Sequence, residues 1–407
     1  MHVNACLYMF KHISCIGVET VLDETEGRAR LEKATRATRM IFLMSGLAMA
    51  SWAPMVPYAK ARLHLDDADL GLVLLAFGGG SMLSMPVIGW LASRYGNRRV
   101  IGFAGALMCL ALPILTLVPT TALLAVGLLY FGAMLGAVDV AMNAHAVDVE
   151  RLAGRAVMSG FHGLFSLGGL AGAAAMSAML ASGLPLLACS LLLSLVIAVI
   201  LVSQQASLLP MVRAKNHSSV RPPFVFRLPR GLLLLVGALC FVSFLAEGSM
   251  LDWSALLLRD FHGYSAASAG LGYACFSVAM AMGRLSGDRL IARLGPVWTV
   301  RAGAALAAAG FLVSALMPWQ TTALFGFVLV GLGASNIVPV MFSAAGRLPN
   351  TVPAVSIAAV TTLGYAGLLL GPALIGFVAH ATNLPIALAA VAALLLLVAA
   401  SANVVRR

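Results

Sequence analysis

Charge is scarce in this chain. Only 10% of its 407 residues are Asp, Glu, Lys or Arg, and only 15 are acidic. Soluble domains carry about a quarter of their residues charged, so a soluble globular fold is excluded. Cysteine is scarce too. The six cysteines (6, 15, 109, 189, 240 and 275) are dispersed, and no pair has a metal or redox spacing. The sequence contains no HExxH, no GxSxG and no P-loop. These absences remove the usual routes to metal-dependent, acyl-transfer and ATP-driven chemistry. The chain is not read as an enzyme, and neither a cofactor nor a metal site is expected.

Hydrocarbon takes the place of charge. Apolar residues make up 61% of the chain and fall in runs of about twenty along its whole length. The runs predict spans at 40–60, 69–92, 98–118, 121–143, 157–182, 184–203, 231–258, 266–287, 297–317, 321–343, 353–379 and 384–404. Forty glycines suit helices that pack closely in lipid. The segment QQASLLPMVRAKNHSSVRPPFVFRLPR (204–230) is the one long break and divides the spans six and six. The expectation is an all-α membrane protein of twelve transmembrane helices. It comprises an amino-terminal tail (1–39), a six-helix half (40–203), a linker (204–230) and a second half (231–407).

The net charge of +11 invites a nucleic-acid reading, but its distribution argues against one. Of the 26 Lys and Arg, all but Lys60, Arg62 and Arg259 fall at one face of the predicted topology. That is the positive-inside bias, and it sets both termini and the linker in the cytoplasm, with the chain multi-pass in the inner membrane. The basic stretch GRARLEKATRATR (27–39) is expected to rest on the anionic inner leaflet. The expected partners are the bilayer, protons and a small-molecule substrate; nucleic acid is not among them, and the chain is taken as a monomer.

The two halves repeat. GWLASRYGNRRV (89–100) follows the second span and GRLSGDRLIARLG (283–295) the eighth, at corresponding positions. GFHGLFSLGGLAG (160–172) and TTLGYAGLLLGPALIG (361–376) correspond in the fifth and eleventh spans. These stretches resemble the major facilitator superfamily over roughly 40–404. The family loop signature Gly-x-x-x-Asp-Arg-x-Gly-Arg-Arg/Lys is matched at Gly89, Arg94, Gly96, Arg98 and Arg99, with Ser93 where Asp is expected. The second copy carries Arg284, Asp288, Arg289, Arg293 and Gly295. The resemblance implies that both loops latch the halves together. Within the superfamily the chain is most similar to the YbjJ-like branch, a relative of the fucose permeases. The carrying stretches are GLAMASWAPMVPYAKARL (46–63), VDVAMNAHAVDVE (138–150), GRAVMSGFHGLFSLGGLAG (154–172) and AEGSMLDWSALLLRD (246–260). The resemblance implies a proton or sugar role for Asp139, set among Gly136, Ala141 and Asn143. It puts His162 where the permease has a sugar-contacting Gln, and Ala53 near the place of a span-one Asp.

Carboxylates inside spans are costly, and they mark cavities where they work. Asp139 and Asn143 are four apart and share a helix face. His162 enters from the neighbouring antiparallel span at similar depth, so a proton can be exchanged between the two. Glu247 lies near mid-depth in its run; Asp252, five residues on, is about 140° round the helix. Both can face one cavity only if Gly248 unwinds the helix; otherwise Asp252 sits near the outer surface with Arg259. Glu247 and His162 join Asp139 as coupling candidates. Trp52, Asn143, His162, Trp253, Tyr273, Asn336 and Tyr365 are the candidate substrate contacts, since aromatic faces and amides suit polar solutes. Pro54 and Pro57 are expected to kink the first span beside Trp52. His145, Asp148 and Glu150 could suggest a metal site, but a solvated helix end with ion pairs is the expected arrangement. The function expected is gradient-driven transport of a small polar solute, a sugar or related metabolite, by alternating access with proton coupling. A proton-driven exporter and a solute-binding sensor are the alternatives.

Overall fold

The computed structural model describes residues 3–65, 67–210, 230–264, 271–349 and 351–406. Among them there is no strand. The helices are α1 (Val3–Ser51), α2 (Val56–Leu63), α3 (Asp67–Tyr95), α4 (Asn97–Met108), α5 (Ala111–Leu117), α6 (Thr121–Ala153) and α7 (Met158–Ala181). They continue with α8 (Leu186–Gln205), α9 (Leu232–His262), α10 (Leu271–Leu316), α11 (Gln320–Ala334), α12 (Ile337–Gly346), α13 (Pro353–Ala381) and α14 (Leu384–Ala400). Of the linker expected over 204–230, residues 211–229 lie outside the described residues.

By length and composition, eleven helical stretches of the described residues can cross a membrane. One of them, α10, has 46 residues. At 1.5 Å per residue it would be about 69 Å long, more than twice a hydrocarbon core. It is not straight: Gly295 has φ 76° and ψ 162°, between the stretches expected as separate spans. Gly96, at the matching place in the first loop, has φ 90° and ψ 146° and separates α3 from α4. Only glycine adopts this region without strain. The two loop repeats therefore share a backbone device as well as a sequence.

Proline sets the other breaks, because it gives no N–H to the carbonyl four residues back. Pro54 and Pro57 interrupt the first span with a 3₁₀ turn at Ala53–Met55. Pro113 coincides with the break between α4 and α5 at Cys109–Leu110. Pro339 coincides with the break between α11 and α12, leaving Ser335 and Asn336 between them. By contrast α9 runs unbroken through Gly248, so the unwinding that would have brought Asp252 round to the face of Glu247 does not occur.

The core is densest where α6 meets α12. From Leu135 to Val147, α6 is buried on every face, and so is the chain from Gly333 to Phe342. Burial of α1 begins before the apolar run does: Ala34 and Ala37 are fully buried and Thr38 is 1% exposed. The end of the stretch expected to rest on the membrane surface therefore packs into the bundle, because Ala and Thr are small enough to let α1 approach α6.

Glycines set the helix spacing. A Cβ on Gly168 of α7 would lie 2.0 Å from the Leu43 carbonyl oxygen of α1, and one on Gly132 of α6 would lie 1.9 Å from that of Phe77 in α3. A Cβ on Gly367 of α13 would lie 2.1 Å from the Phe241 carbonyl oxygen of α9. Such backbone-to-backbone contact needs small residues. Gly168→Ala is therefore expected to destabilise the protein by about 3 kcal/mol, the upper range for overpacking. Gly27→Ala, with nothing within 4 Å of the added atom, should be neutral. Thermal melting in detergent followed by size-exclusion chromatography checks this; equal melting of the two variants would contradict the packing.

Candidate functional site

The α6 helix carries Asp139 and Asn143 one turn apart, both inside the fully buried stretch. Asn143 Nδ2 donates to the Asp139 side chain at 3.2 Å and to its backbone carbonyl at 2.9 Å. That leaves Asn143 Oδ1 as an acceptor, 3.1 Å from His162 Nε2 on α7. His162 therefore donates from Nε2. Its ring packs between Phe42 of α1 and Phe342 of α12. Asp139 and His162 do not touch directly: the amide of Asn143 stands between them.

Helices α9 and α10 supply an ion pair. Both Glu247 oxygens on α9 lie 3.1–3.2 Å from Nη2 of Arg284 on α10. The two side chains are 17% and 10% exposed. The break at Ser335 helps hold the arginine. With no N–H from Pro339, the Ser335 carbonyl is left to accept from Arg284 Nε at 3.3 Å. Asn336 then donates to the Gly283 carbonyl at 3.1 Å. A Cβ on Gly287 would lie 1.8 Å from Asn336 Oδ1, so the glycine makes room for that side chain.

Arg284 also reaches across. Its Nη1 donates to Ser166 Oγ on α7 at 3.1 Å, and Ser166 Oγ donates to the His162 carbonyl at 3.2 Å. A series of polar contacts thus runs from Glu247 through Arg284 and Ser166 to the His162 backbone carbonyl, and from the His162 ring through Asn143 to Asp139. Tyr365 on α13 lies within electrostatic reach of both carboxylates and against the Phe244 ring. Tyr273 is within reach of Glu247 and Arg284. Trp52 and Trp253 are close to buried, and their indole N–H groups have no hydrogen-bond partner among the described residues.

A second cluster lies where α6 ends and α7 begins. Glu150 is 3% exposed, so this helix end is not solvated as expected. Glu150 Oε2 accepts from the N–H groups of Val157 and Met158, and its Oε1 pairs with Arg347 at 2.5 Å. Asp288 accepts from the Gly160 N–H at 3.0 Å. Two carboxylates thus satisfy the first turn of α7, where the helix dipole favours negative charge. Arg151 adds a bond to the Gly346 carbonyl at 3.1 Å. His145 belongs elsewhere: it bonds Thr38 and the Leu209 N–H. Asp148 accepts from Asn97.

The expected latch residues separate into distinct groups. Asp288 crosses between elements of the two repeats. Gly89 packs directly on α13, where its Cβ would meet that of Ala358 at 2.5 Å. Ser93, standing for the missing Asp, only bonds back to Trp90. Arg94 stacks on Trp90 and Tyr95. The Arg98 carbonyl accepts from Gln205. Arg99, Arg289 and Arg293 are exposed and form no ion pair among the described residues. Arg284, expected in the latch, lies one helical turn before Asp288 and pairs with Glu247. Arg259 pairs with Asp260 at 2.6 Å rather than with Asp252. Sequence reasoning missed Ser166, Ser335 and Arg347 as partners; Glu150 was expected in ion pairs, but at a solvated helix end. Pro339, four residues after Ser335, was the one readable signal.

Breaking a buried ion pair on one side leaves an uncompensated charge and costs about 3–5 kcal/mol. Arg284→Gln should therefore lower the melting temperature more than Arg284→Gln with Glu247→Gln. A double variant that melts below the single one would show that the two side chains are not energetically paired.

The Major Facilitator Superfamily profile matches residues 40–372. An uncharacterized MFS-type transporter of Yersinia pestis is 49% identical over 371 residues, covering 91% of this chain and 95% of that one. Membrane protein MosC of Rhizobium meliloti is 32% identical, covering 84% and 83%. The structure of the E. coli fucose:proton symporter FucP aligns with TM-score 0.72 at 19% identity, covering 90% of this chain and 98% of that one. The human organic anion transporter MFSD10 aligns with TM-score 0.74 at 16% identity, covering 91% and 99%. At those identities the two structures speak to the fold alone. The chain is a multi-pass membrane protein that belongs to the Major Facilitator Superfamily of transporters.

Proposed function

We propose that this protein is a proton-coupled secondary transporter of a small polar solute, a sugar or related metabolite, working by alternating access between two six-helix halves. It is read as a monomer of the inner membrane, with both termini cytoplasmic, from the YbjJ-like branch. The observation that carries the reading is the polar chain from Glu247 to Asp139. It holds two carboxylates, an arginine and an imidazole inside helices long enough to span a bilayer, and it crosses from one repeat to the other. Intramembrane ionisable groups arranged in this way mark ion and solute paths. The FucP likeness supports the fold in which such a path would work, and the proton and sugar in its name motivate the ligands proposed here.

Two further features support the division into halves. The matching positive-φ glycines Gly96 and Gly295 break corresponding loops, which supports reading α10 as two spans and the bundle as twelve. The closely packed pairs α1–α7 and α9–α13 join the first and fifth spans of each half. Glu150, Asp288, Arg151 and Arg347 then form the gate at the cytoplasmic end, closed in this conformation. Rocking the halves apart would break the Glu150–Arg347 pair and free the first turn of α7. Arg94 and its neighbours act as loop packing that tunes this opening, with Gly89 as the close contact to α13.

Asp139 is proposed as the coupling carboxylate. Its partners are an amide and, through that amide, an imidazole, with no basic side chain bonded to it among the described residues. A charge there is uncompensated in hydrocarbon, so gain and loss of a proton can track the exposure of the cavity. Asp139→Asn holds the neutral form. In proteoliposomes it should abolish accumulation of solute driven by a proton gradient while sparing counterflow exchange. The solute is the one that a stabilisation screen of sugars, amino acids and organic acids selects. Accumulation at the wild-type level in this variant would remove Asp139 from the coupling role.

A further inference from the structure

We propose that Arg284 is the anchor for a carboxylate on the transported solute, and that Glu247 occupies this anchor when the solute is absent. The inference rests on the transport reading and narrows its substrate class to acids, such as a sugar acid, rather than neutral sugars.

Arg284 is held in place independently of Glu247. Its Nε donates to the Ser335 carbonyl and its Nη1 to Ser166, so two of its three nitrogens are fixed without help from Glu247. The guanidinium would keep its place if Glu247 let go. Glu247 is held loosely by comparison. Both of its oxygens meet one nitrogen, Nη2, at 3.2 and 3.1 Å. The stronger arrangement between these groups uses two nitrogens in parallel. Glu247 lacks that geometry because Nε and Nη1 are engaged elsewhere. Its side chain is also 17% exposed, against 10% for Arg284, so an incoming group can reach the pair from the side of Glu247.

Charge balance sets the protonation of the pair. The empty pair is neutral. A second carboxylate at Arg284 would leave two negative charges on one positive charge in a low-dielectric site. A proton taken by Glu247 removes the excess: an O–H bond forms on its carboxyl, its ion contact with Nη2 breaks, and the solute carboxylate takes Nη2. The pair is neutral before and after, so the acid enters with this one proton, in addition to the coupling proton carried by Asp139. A neutral sugar has no charge with which to displace Glu247 from its cation.

The surrounding groups are few. Cys240 and Asp252 lie on α9 with Glu247, and Tyr273 on α10 with Arg284. Tyr365 faces the pair from α13 and His162 faces Arg284 from α7, with Asp139 beyond it on α6. The α11, α12 and α14 helices contain no titratable side chain. Of these groups Arg284 alone carries a positive charge that is fixed across the physiological pH range.

The test uses the purified full-length chain and matched probes: D-glucuronate with D-glucose, D-galacturonate with D-galactose, and D-gluconate with D-sorbitol. Thermal stabilisation is titrated at mildly acidic and mildly alkaline pH. At least one acid should stabilise the wild type while its uncharged counterpart does not. Its affinity should fall as pH rises, because binding takes up a proton. Glu247→Gln should bind that acid more tightly and lose this pH dependence. The Glu247→Gln and Arg284→Gln double variant keeps a neutral, hydrogen-bonding pair and should bind the acid about 30-fold more weakly or worse. The proposal is overturned if an uncharged probe binds as well as its acid, if no acid stabilises either wild type or Glu247→Gln, or if the double variant retains wild-type affinity. Vesicle uptake separates the two levels of the argument. Movement of an uncharged probe would keep the transport reading and sink this one; acid binding without movement would do the reverse.

Discussion

A charge removed from water must be met by an opposite charge or a full set of hydrogen bonds, and this protein meets that constraint in the interior of its bundle with Arg284. The guanidinium has five N–H donors in a rigid plane, so it can bind in three directions at once. One direction satisfies Glu247, one a carbonyl freed by a helix break, and one a serine of the opposite repeat. Remove Arg284 and Glu247 is stranded, Ser335 loses a donor, and the contact to Ser166 between α10 and α7 is lost. Lysine could not replace it, because a single ammonium cannot hold three sites arranged in a plane.

The same economy appears at the α7 N-terminus. The first turn of a helix has N–H groups with no partner of its own. Here Glu150 and Asp288 fill that need from two different elements, and Arg347 neutralises Glu150. Because Asp288 follows Arg284 by one helical turn, the interior pair and the α7 contact are carried by one rigid stretch of α10. Movement at either one is felt at the other. Gly160 is what allows the approach, since a Cβ there would lie 2.5 Å from the Asp288 oxygen.

Much of this was legible in the sequence, and the rest was not for physical reasons. Hydrophobic length gave the spans, because a bilayer imposes a length that composition reveals. The i, i+4 spacing placed Asp139 and Asn143 together, since a helix face is a local property. The paired Gly-rich loops identified the repeat. What could not be read were contacts between elements: Glu150 with Arg347 spans almost two hundred residues and depends on how α6 and α12 dock. Arg284 was grouped with the loop arginines around it, although one helical turn separates surface from interior there. The early burial of α1 was hidden because Ala34, Ala37 and Thr38 sit in a basic stretch whose composition looks like surface.

The central claim is that protonation of the buried polar chain is tied to the reciprocal opening of the two ends of the bundle. Paired spin labels test it without a known solute. One pair, at Arg155 and Arg293, reports on the Glu150 end; the other, at Ser182 and Thr382, reports on the opposite end; all four positions are exposed. Distances measured by double electron–electron resonance at acidic and alkaline pH should change in opposite senses at the two ends. With Asp139→Asn, both distances should hold at one value across pH. Distances that ignore pH in the wild type, or that lengthen together at both ends, would contradict the account.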